Sequence, residues 1–336
     1  MAKKIAIIGG GIIGLYIGWK LSQKGESVVI FEKKNESEVD FKCCSGLVSE
    51  RIKNFIPIED NLIKNKIKSC RIKFAKKQIE LIFKPNHLAL DRERVIRRLI
   101  SLNREVATEL RFDEEIKDIP IGFDKIIFCN GANSFIKKEK NNSKQNFRLG
   151  AQIIVNKEDN NDFVETFFIN SGFCWKIPRG NIVEYGIITK PEKLVQEFDK
   201  FLLSQGRTRE SGKFYSAVIP QPKTFDSLFF SDNQNIFFCG DSLGLVKPWS
   251  GGGIIWNLTA ADILIKNIDS SFKYKKKLKK KFAWQILKGS IFNKFVGFLG
   301  NKAPFILPKR IIYDNDFPNV LKSLFSCLGS DTYDTH

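Results

Sequence analysis

The sequence predicts an α/β protein: a Rossmann-like dinucleotide-binding unit interleaved with a mixed β-sheet domain, followed by a basic helical C-terminal segment. Three observations predict it. A glycine-rich turn joins an apolar run to a helical pattern at the start of the chain, in "KKIAIIGGGIIGLYIGWKLSQKGESVVIFEK". A second apolar run, acidic turn and triple glycine precede another helical pattern in "NIFFCGDSLGLVKPWSGGGIIWNLTAADILI". Between these lie segments such as "RLGAQIIV", "ETFFI" and "IVEYGIIT", whose alternation and β-branched content read as strands.

In the first element, residues 5–8 form a short buried strand, residues 15–23 a helix that Gly25 ends, and residues 28–31 the next strand. Gly9, Gly11 and Gly14 have separate roles: the tight turn, close approach of a pyrophosphate, and close packing of helix on strand. The free N–H groups and positive end of the helix then hold phosphate. Glu32 closes the second strand 18 positions after Gly14, placed to hydrogen-bond the ribose hydroxyls of an adenosine. An acid rather than an arginine here favours FAD or NAD over NADP.

The second element separates those two. A strand over residues 236–239 leads into Gly240 and Asp241, and a helix starts at about Ile254 after Gly252 and Gly253. A NAD dehydrogenase has no use for this element, whereas FAD does. Asp241 suits the ribityl hydroxyls, and the helix start at Ile254 suits the edge of the isoalloxazine, where the reduced ring carries negative charge.

Composition bounds the chemistry. A chain of 336 residues, 43% hydrophobic and 27% charged, buries a sizeable core. Its seven cysteines are odd in number and form no C-x-x-C pair, which argues against a disulfide framework or a thiolate metal site and for a reducing cytoplasm. Two histidines leave little room for a histidine-based triad or metal centre, so no metal is expected. The basic, apolar start lacks a signal-peptide cleavage pattern, and no run is long and apolar enough to predict a membrane span.

The net charge of +18 is uneven, with seven lysines among residues 273–281. Phe282, Trp284, Leu287, Phe292, Phe295 and Phe298 follow, so the segment reads either as a peripheral anchor on an anionic membrane surface or as a solvated helix closing a site. No nucleic-acid-binding motif is visible, and no nucleic-acid partner is expected.

The paired glycine elements resemble the FAD-dependent geranylgeranyl reductase family, within the class of flavoproteins that resemble p-hydroxybenzoate hydroxylase. Three further stretches carry the resemblance. "KCCSGLVS" matches the family's cysteine segment through Cys44; "LALDRERVIRRLI" matches its arginine-bearing helix start through Arg92; "GFCWKIPRGNIVEYGI" matches its aromatic segment through Phe173, Trp175, Ile177, Pro178 and Gly180. The match runs in order over residues 1 to about 265.

The resemblance implies FAD as cofactor, an isoprenoid lipid as substrate whose C=C bonds are saturated, and an external electron donor: NAD(P)H, ferredoxin or a quinol. It implies that Arg92 contacts the cofactor and that Phe173, Trp175 and Pro178 wall the substrate pocket. Cys44 is either the proton donor or a small residue lining the flavin cavity. Read along the chain, the organisation is an FAD-binding domain from residues 1–42, 88–135 and 231–265, a substrate-binding sheet from 43–87 and 145–230, and a basic helical segment over 266–336.

The sequence departs from the family pattern in places. Asn130 and Gly131 stand where an Asp-Gly is usual, and the short link over residues 110–124 leaves no room for a β-meander. The segment from Phe173 to Pro178 also partly resembles the Trp-x-Trp-x-Ile-Pro of flavin halogenases, without its first tryptophan. An aromatic monooxygenase or halogenase is therefore the enzymatic alternative, and a non-catalytic basic membrane- or nucleic-acid-binding protein the alternative of another class.

Overall fold

The structure, a computed structural model, describes residues 2–38, 44–132, 146–314 and 317–319. Cys43, most of the polar stretch "KKEKNNSKQN" and residues 320–336 lie outside the described residues.

The apolar runs of the glycine elements assemble into one parallel sheet. Its order is β13 (Ile236–Phe238), β7 (Lys125–Phe128), β1 (Lys4–Ile8), β2 (Ser27–Phe31), β6 (Glu109–Arg111). Register aligns the strand ends: Ile8 faces both Phe31 and Phe128, and Phe128 faces Phe238. Gly9, Glu32, Cys129 and Cys239 therefore leave the sheet side by side at its carboxyl edge, with the chain turning to opposite sides of β1. That is the place where open parallel sheets hold ligands.

Helix α1 (Ile12–Ser22) lies against α2 (Arg92–Glu105) and α4 (Ile254–Lys266). Tyr16 Oη donates to Asp262 Oδ1 at 2.6 Å, tying α1 to α4, and burial pushes this phenol far above the ordinary tyrosine range. Among the described residues no strand intervenes between β6 and β7, as the short link predicts.

The second sheet follows the order β12 (Lys213–Pro220), β8 (Phe147–Asp159), β11 (Gly180–Thr189), β10 (Gly172–Pro178), β9 (Phe163–Ile169), β4 (Ile63–Lys73), β5 (Gln78–Leu90), β14 (Arg310–Asp314), β15 (Phe317–Asn319), with β3 (Leu47–Ser49) also on β5. Period-two alternation sorts its faces. Ala151, Ile153, Val155, Cys174 and Tyr185 pack under helix α3 (Leu194–Ser204) through Phe198, Phe201 and Leu202. The opposite face carries Ile67, Val164, Trp175, Ile177 and Ile188.

The segment expected to be helical over 266–336 is helical only in part. Helix α5 (Ser271–Lys302) ends before β14, which pairs in parallel with β5. The reason is local: "RIIYD" is rich in β-branched residues, and its buried Ile311 and Tyr313 alternate with more exposed neighbours.

Helix α5 spans the cores of both sheets. Tyr274, Leu278, Phe282 and Ile286 sit in the core that surrounds the parallel sheet, and Leu299 packs with Phe74, Ile79 and Ile311 beside the second sheet. Two aromatics of the segment offered as a membrane anchor or a site-closing helix face inward: Phe282 is in the core and Phe292 lines a cavity between the two sheets. No helix among the described residues is long and apolar enough to cross a membrane.

Tyr274 anchors this helix through a hydrogen bond to the Phe238 carbonyl at 2.9 Å, at the end of β13. Burial holds its phenol well above the ordinary range, so the group stays protonated and donating. Tyr274→Phe leaves that carbonyl short of a donor and is expected to lower the unfolding free energy by about 1–3 kcal/mol in urea titrations. An unchanged midpoint would show that the bond does not secure α5.

Candidate cofactor and substrate site

The turn after β1 works through steric room. Gly9 has φ +111°, and a Cβ there would meet the Cys129 carbonyl oxygen at 2.7 Å. A Cβ on Gly14 would sit 2.0 Å from the Gly9 carbonyl oxygen, whereas one on Gly11 would meet nothing within 4 Å. The turn is thus closed against protein at Gly9 and Gly14 and open at Gly11, on the side a phosphate would approach. Glu32 stands beside it, accepting the Gly10 N–H at 2.7 Å and the Lys34 N–H at 3.0 Å.

Helix ends repeat the distinction. Asp91 caps α2 by accepting from the Arg94 N–H, and Ser270 caps α5 by accepting from the Lys273 N–H. Among the described residues α1 and α4 have no side-chain cap and no acid in the first turn. Their first N–H groups and positive ends point into the same cavity, where an anionic or electron-rich ligand is the complement. Asn257 secures the loop before α4, its Nδ2 donating to the Leu245 carbonyl at 3.0 Å.

That cavity, of about 410 Å³, lies between the carboxyl edge of the parallel sheet and the second sheet. It brings together Gly11, Cys44, Arg92, Asp241, Gly252, Gly253 and Ile254 with Phe173 and Trp175. Gly9, Gly14 and Glu32 stand outside the wall and shape the turn. Pro178 is not in the wall either; Ile177 is, while the Pro178 carbonyl accepts from Asn65 Nδ2 at 3.1 Å. No group of three His, Cys, Asp or Glu among the described residues is placed to hold a metal.

The two ends of the cavity differ. One holds Arg92, whose Nε is buried with no hydrogen-bond partner among the described residues, together with Asp241 and the two uncapped helix starts. The other is walled by Phe74, Phe168, Ile79, Leu81 and Val296, the last contributed by α5. A few polar groups interrupt the apolar wall. Gln152 is buried, and the Cys70 thiol lies 3.2 Å from Thr166 Oγ1. Lys247 Nζ donates to Tyr313 Oη at 3.2 Å.

Three cysteines line the cavity. Burial pushes Cys70 up to about 12 and Cys129 well above the ordinary thiol range, so neither releases a proton readily. By exposure Cys44 and Cys129 are half-buried and Cys70 is buried.

Trp175 is held by residues that motif reading missed. Its ring lies over Gly186, where a Cβ would come within 2.2 Å of the indole. Its Nε1 donates to Glu184 Oε1 at 2.8 Å, and Arg179 Nη2 pairs with Glu184 Oε2 at 2.9 Å. Arg179 also donates to the Leu90 carbonyl, at the exit of β5. The available signal was a charge inside an apolar strand, Glu184 within "NIVEYGII". Glu184→Ala strands a buried guanidinium and is expected to cost about 3–5 kcal/mol in urea unfolding. Glu184→Gln, which retains an acceptor for the indole, is expected to cost less; equal losses would mean that the bond to Trp175 contributes nothing.

Comparisons with known proteins agree with this architecture. The family described as an NAD(P)-binding Rossmann-like domain matches residues 7–37. No curated protein matches the sequence. Among solved structures, a geranylgeranyl bacteriochlorophyll reductase-like protein from Thermoplasma acidophilum superposes with a TM-score of 0.72 at 17% identity, over 89% of this chain and 88% of that one. A tryptophan 6-halogenase from Streptomyces toxytricini gives 0.65 at 12% identity, over 84% and 75%. CmlS, a flavin-dependent halogenase, gives 0.63 at 15% identity, over 85% and 63%. The chain thus has the fold that these reductase-like and halogenase structures share.

Proposed function

We propose that the chain is an FAD-dependent oxidoreductase that saturates C=C bonds of an isoprenoid chain. The observation that carries this reading is a cavity that joins an anion-receptive end to an apolar end. The residues fit the cofactor on three counts: an open face at Gly11, an unsatisfied buried donor on Arg92, and two uncapped helix starts. In this assignment Glu32 takes the adenosine ribose and α1 the pyrophosphate. Asp241 takes the ribityl hydroxyls, while Gly252, Gly253 and the start of α4 face the ring, with Arg92 beside it.

When bound and reduced, FAD supplies the hydride for one alkene carbon. The protein must deliver a proton to the other carbon, because an isolated alkene is a poor hydride acceptor. We assign that proton to Cys44, whose S–H bond breaks as the new C–H bond forms; the thiolate then regains a proton from solvent. Phe173 and Trp175 offer rigid apolar surface to the chain and keep water from it. Electrons come from an external donor: NAD(P)H, ferredoxin or a quinol. A reducing cytoplasm is the compartment that the odd, scattered cysteines of the sequence favour.

The aromatic halogenase or monooxygenase reading draws on Trp175, Ile177 and Pro178 and on the shared fold. Mass spectrometry separates the two. Dithionite-reduced holoenzyme incubated without oxygen with a geranylgeranyl lipid is expected to add two hydrogens per reduced bond. Oxygen-dependent hydroxylation or halogenation of an aromatic, with no hydrogen gained by the lipid, would contradict the proposal.

In single turnover, Cys44→Ser is expected to slow alkene reduction by about 10²–10⁴-fold while FAD remains bound. An unchanged rate would remove Cys44 as donor and leave it as cavity lining.

A further inference from the structure

Helix α5 has two faces with opposite tasks. Its inner face carries Phe292, Asn293 and Val296 into the cavity wall, and three glycines let it lie close there. A Cβ on Gly289 would meet Trp249 at 2.4 Å, one on Gly297 would meet Phe168 at 3.0 Å, and one on Gly300 would meet Phe74 at 2.0 Å. The outer face carries Trp284, Leu287, Ile291, Phe295 and Phe298, each between 40% and 62% exposed. Steps of three and four residues put these five on one stripe of the helix.

The same stripe continues toward the N-terminal end as Lys280, Lys277 and Lys273, by the same steps. Lys288 and Lys294 flank its apolar part, and Lys288 Nζ lies 4.8 Å from the Trp284 ring centroid. Between Asp269 and Asp314 the sequence contains eleven lysines, one arginine and no acid. Beyond the helix, Phe305 and Ile306 add further exposed apolar surface.

We infer that this stripe docks the protein on an anionic lipid bilayer, with Trp284, Ile291, Phe295 and Phe298 in the interfacial layer and Lys273, Lys277 and Lys280 at the headgroups. Charge decides the occupant. A second copy would bring an equally basic stripe against this one, whereas a negatively charged surface complements both parts of it. The helix is half inserted rather than spanning, because its inner face is committed to Tyr274, Leu278, Phe282 and Ile286 in the core. Docking brings the α5 wall of the cavity next to the acyl layer.

The inference stands on the surface alone. A vesicle-bound protein without reductase activity would keep it and end the reaction proposed above.

The test is flotation of the full-length holoprotein with phosphatidylcholine vesicles, with and without phosphatidylglycerol. Binding is expected only with the anionic lipid and is expected to weaken with salt. Lys273→Glu/Lys277→Glu/Lys280→Glu is expected to lower partitioning by roughly a hundredfold or more, and Ile291→Asp/Phe295→Asp to abolish it, both with unchanged thermal unfolding. If either variant fails to fold, the Trp284 signal of the wild type, obtained by difference from Trp284→Phe, must shift to the blue on anionic vesicles alone. Equal binding to neutral vesicles, no binding, or a dimer in solution that Ile291→Asp/Phe295→Asp dissolves would each overturn the inference.

Discussion

The register of the parallel sheet is the constraint on which the remaining architecture depends. Because Ile8, Phe31, Phe128 and Phe238 are aligned, four loops leave the sheet at one level. The two uncapped helix starts therefore converge, although they are encoded at opposite ends of the domain. The Tyr16 to Asp262 hydrogen bond holds those helices together. Slipping a single strand would separate the glycine turn from Asp241 and leave two positive helix ends facing unrelated surfaces.

The second sheet completes the cavity by the logic of alternation. Odd positions of β10 face the cavity as Phe173, Trp175 and Ile177, while Cys174 packs under α3. A buried carboxylate in this sheet requires a partner, and Glu184 has two, the Arg179 guanidinium and the Trp175 indole. An electrostatic demand of the core thus becomes the orientation of an aromatic in the cavity wall. Helix α5 then closes the apolar end, and its glycines allow the aromatic wall residues to reach across.

What was legible in the sequence was local. Gly9, Gly11, Gly14 and Glu32 mark by their spacing one strand-turn-helix-strand unit, and Asp241 with Gly252 and Gly253 marks another strand-loop-helix unit, both of which the fold contains. Cys44, Arg92 and Trp175 were found by resemblance, and the cavity does contain all three. Long-range pairings were not legible. Nothing in the spacing of Arg179 and Glu184 names Trp175 as their partner, and Pro178 was assigned to a wall that Ile177 supplies. The lysine-rich segment suggested a helix, but which of its aromatics would be buried depended on where that helix docks. The strand at Arg310–Asp314 was obscured by its basic, helical surroundings and formed where the edge of β5 needed a partner.

The central claim is that these convergent elements form an FAD site, and equilibrium titration of the purified chain with FAD tests it most directly. Flavin absorbance and fluorescence should saturate at about one FAD per chain, and Gly14→Val, which drives a side chain into the Gly9 carbonyl, should abolish uptake. A folded wild-type protein that stays colourless and leaves flavin fluorescence unchanged would contradict the account.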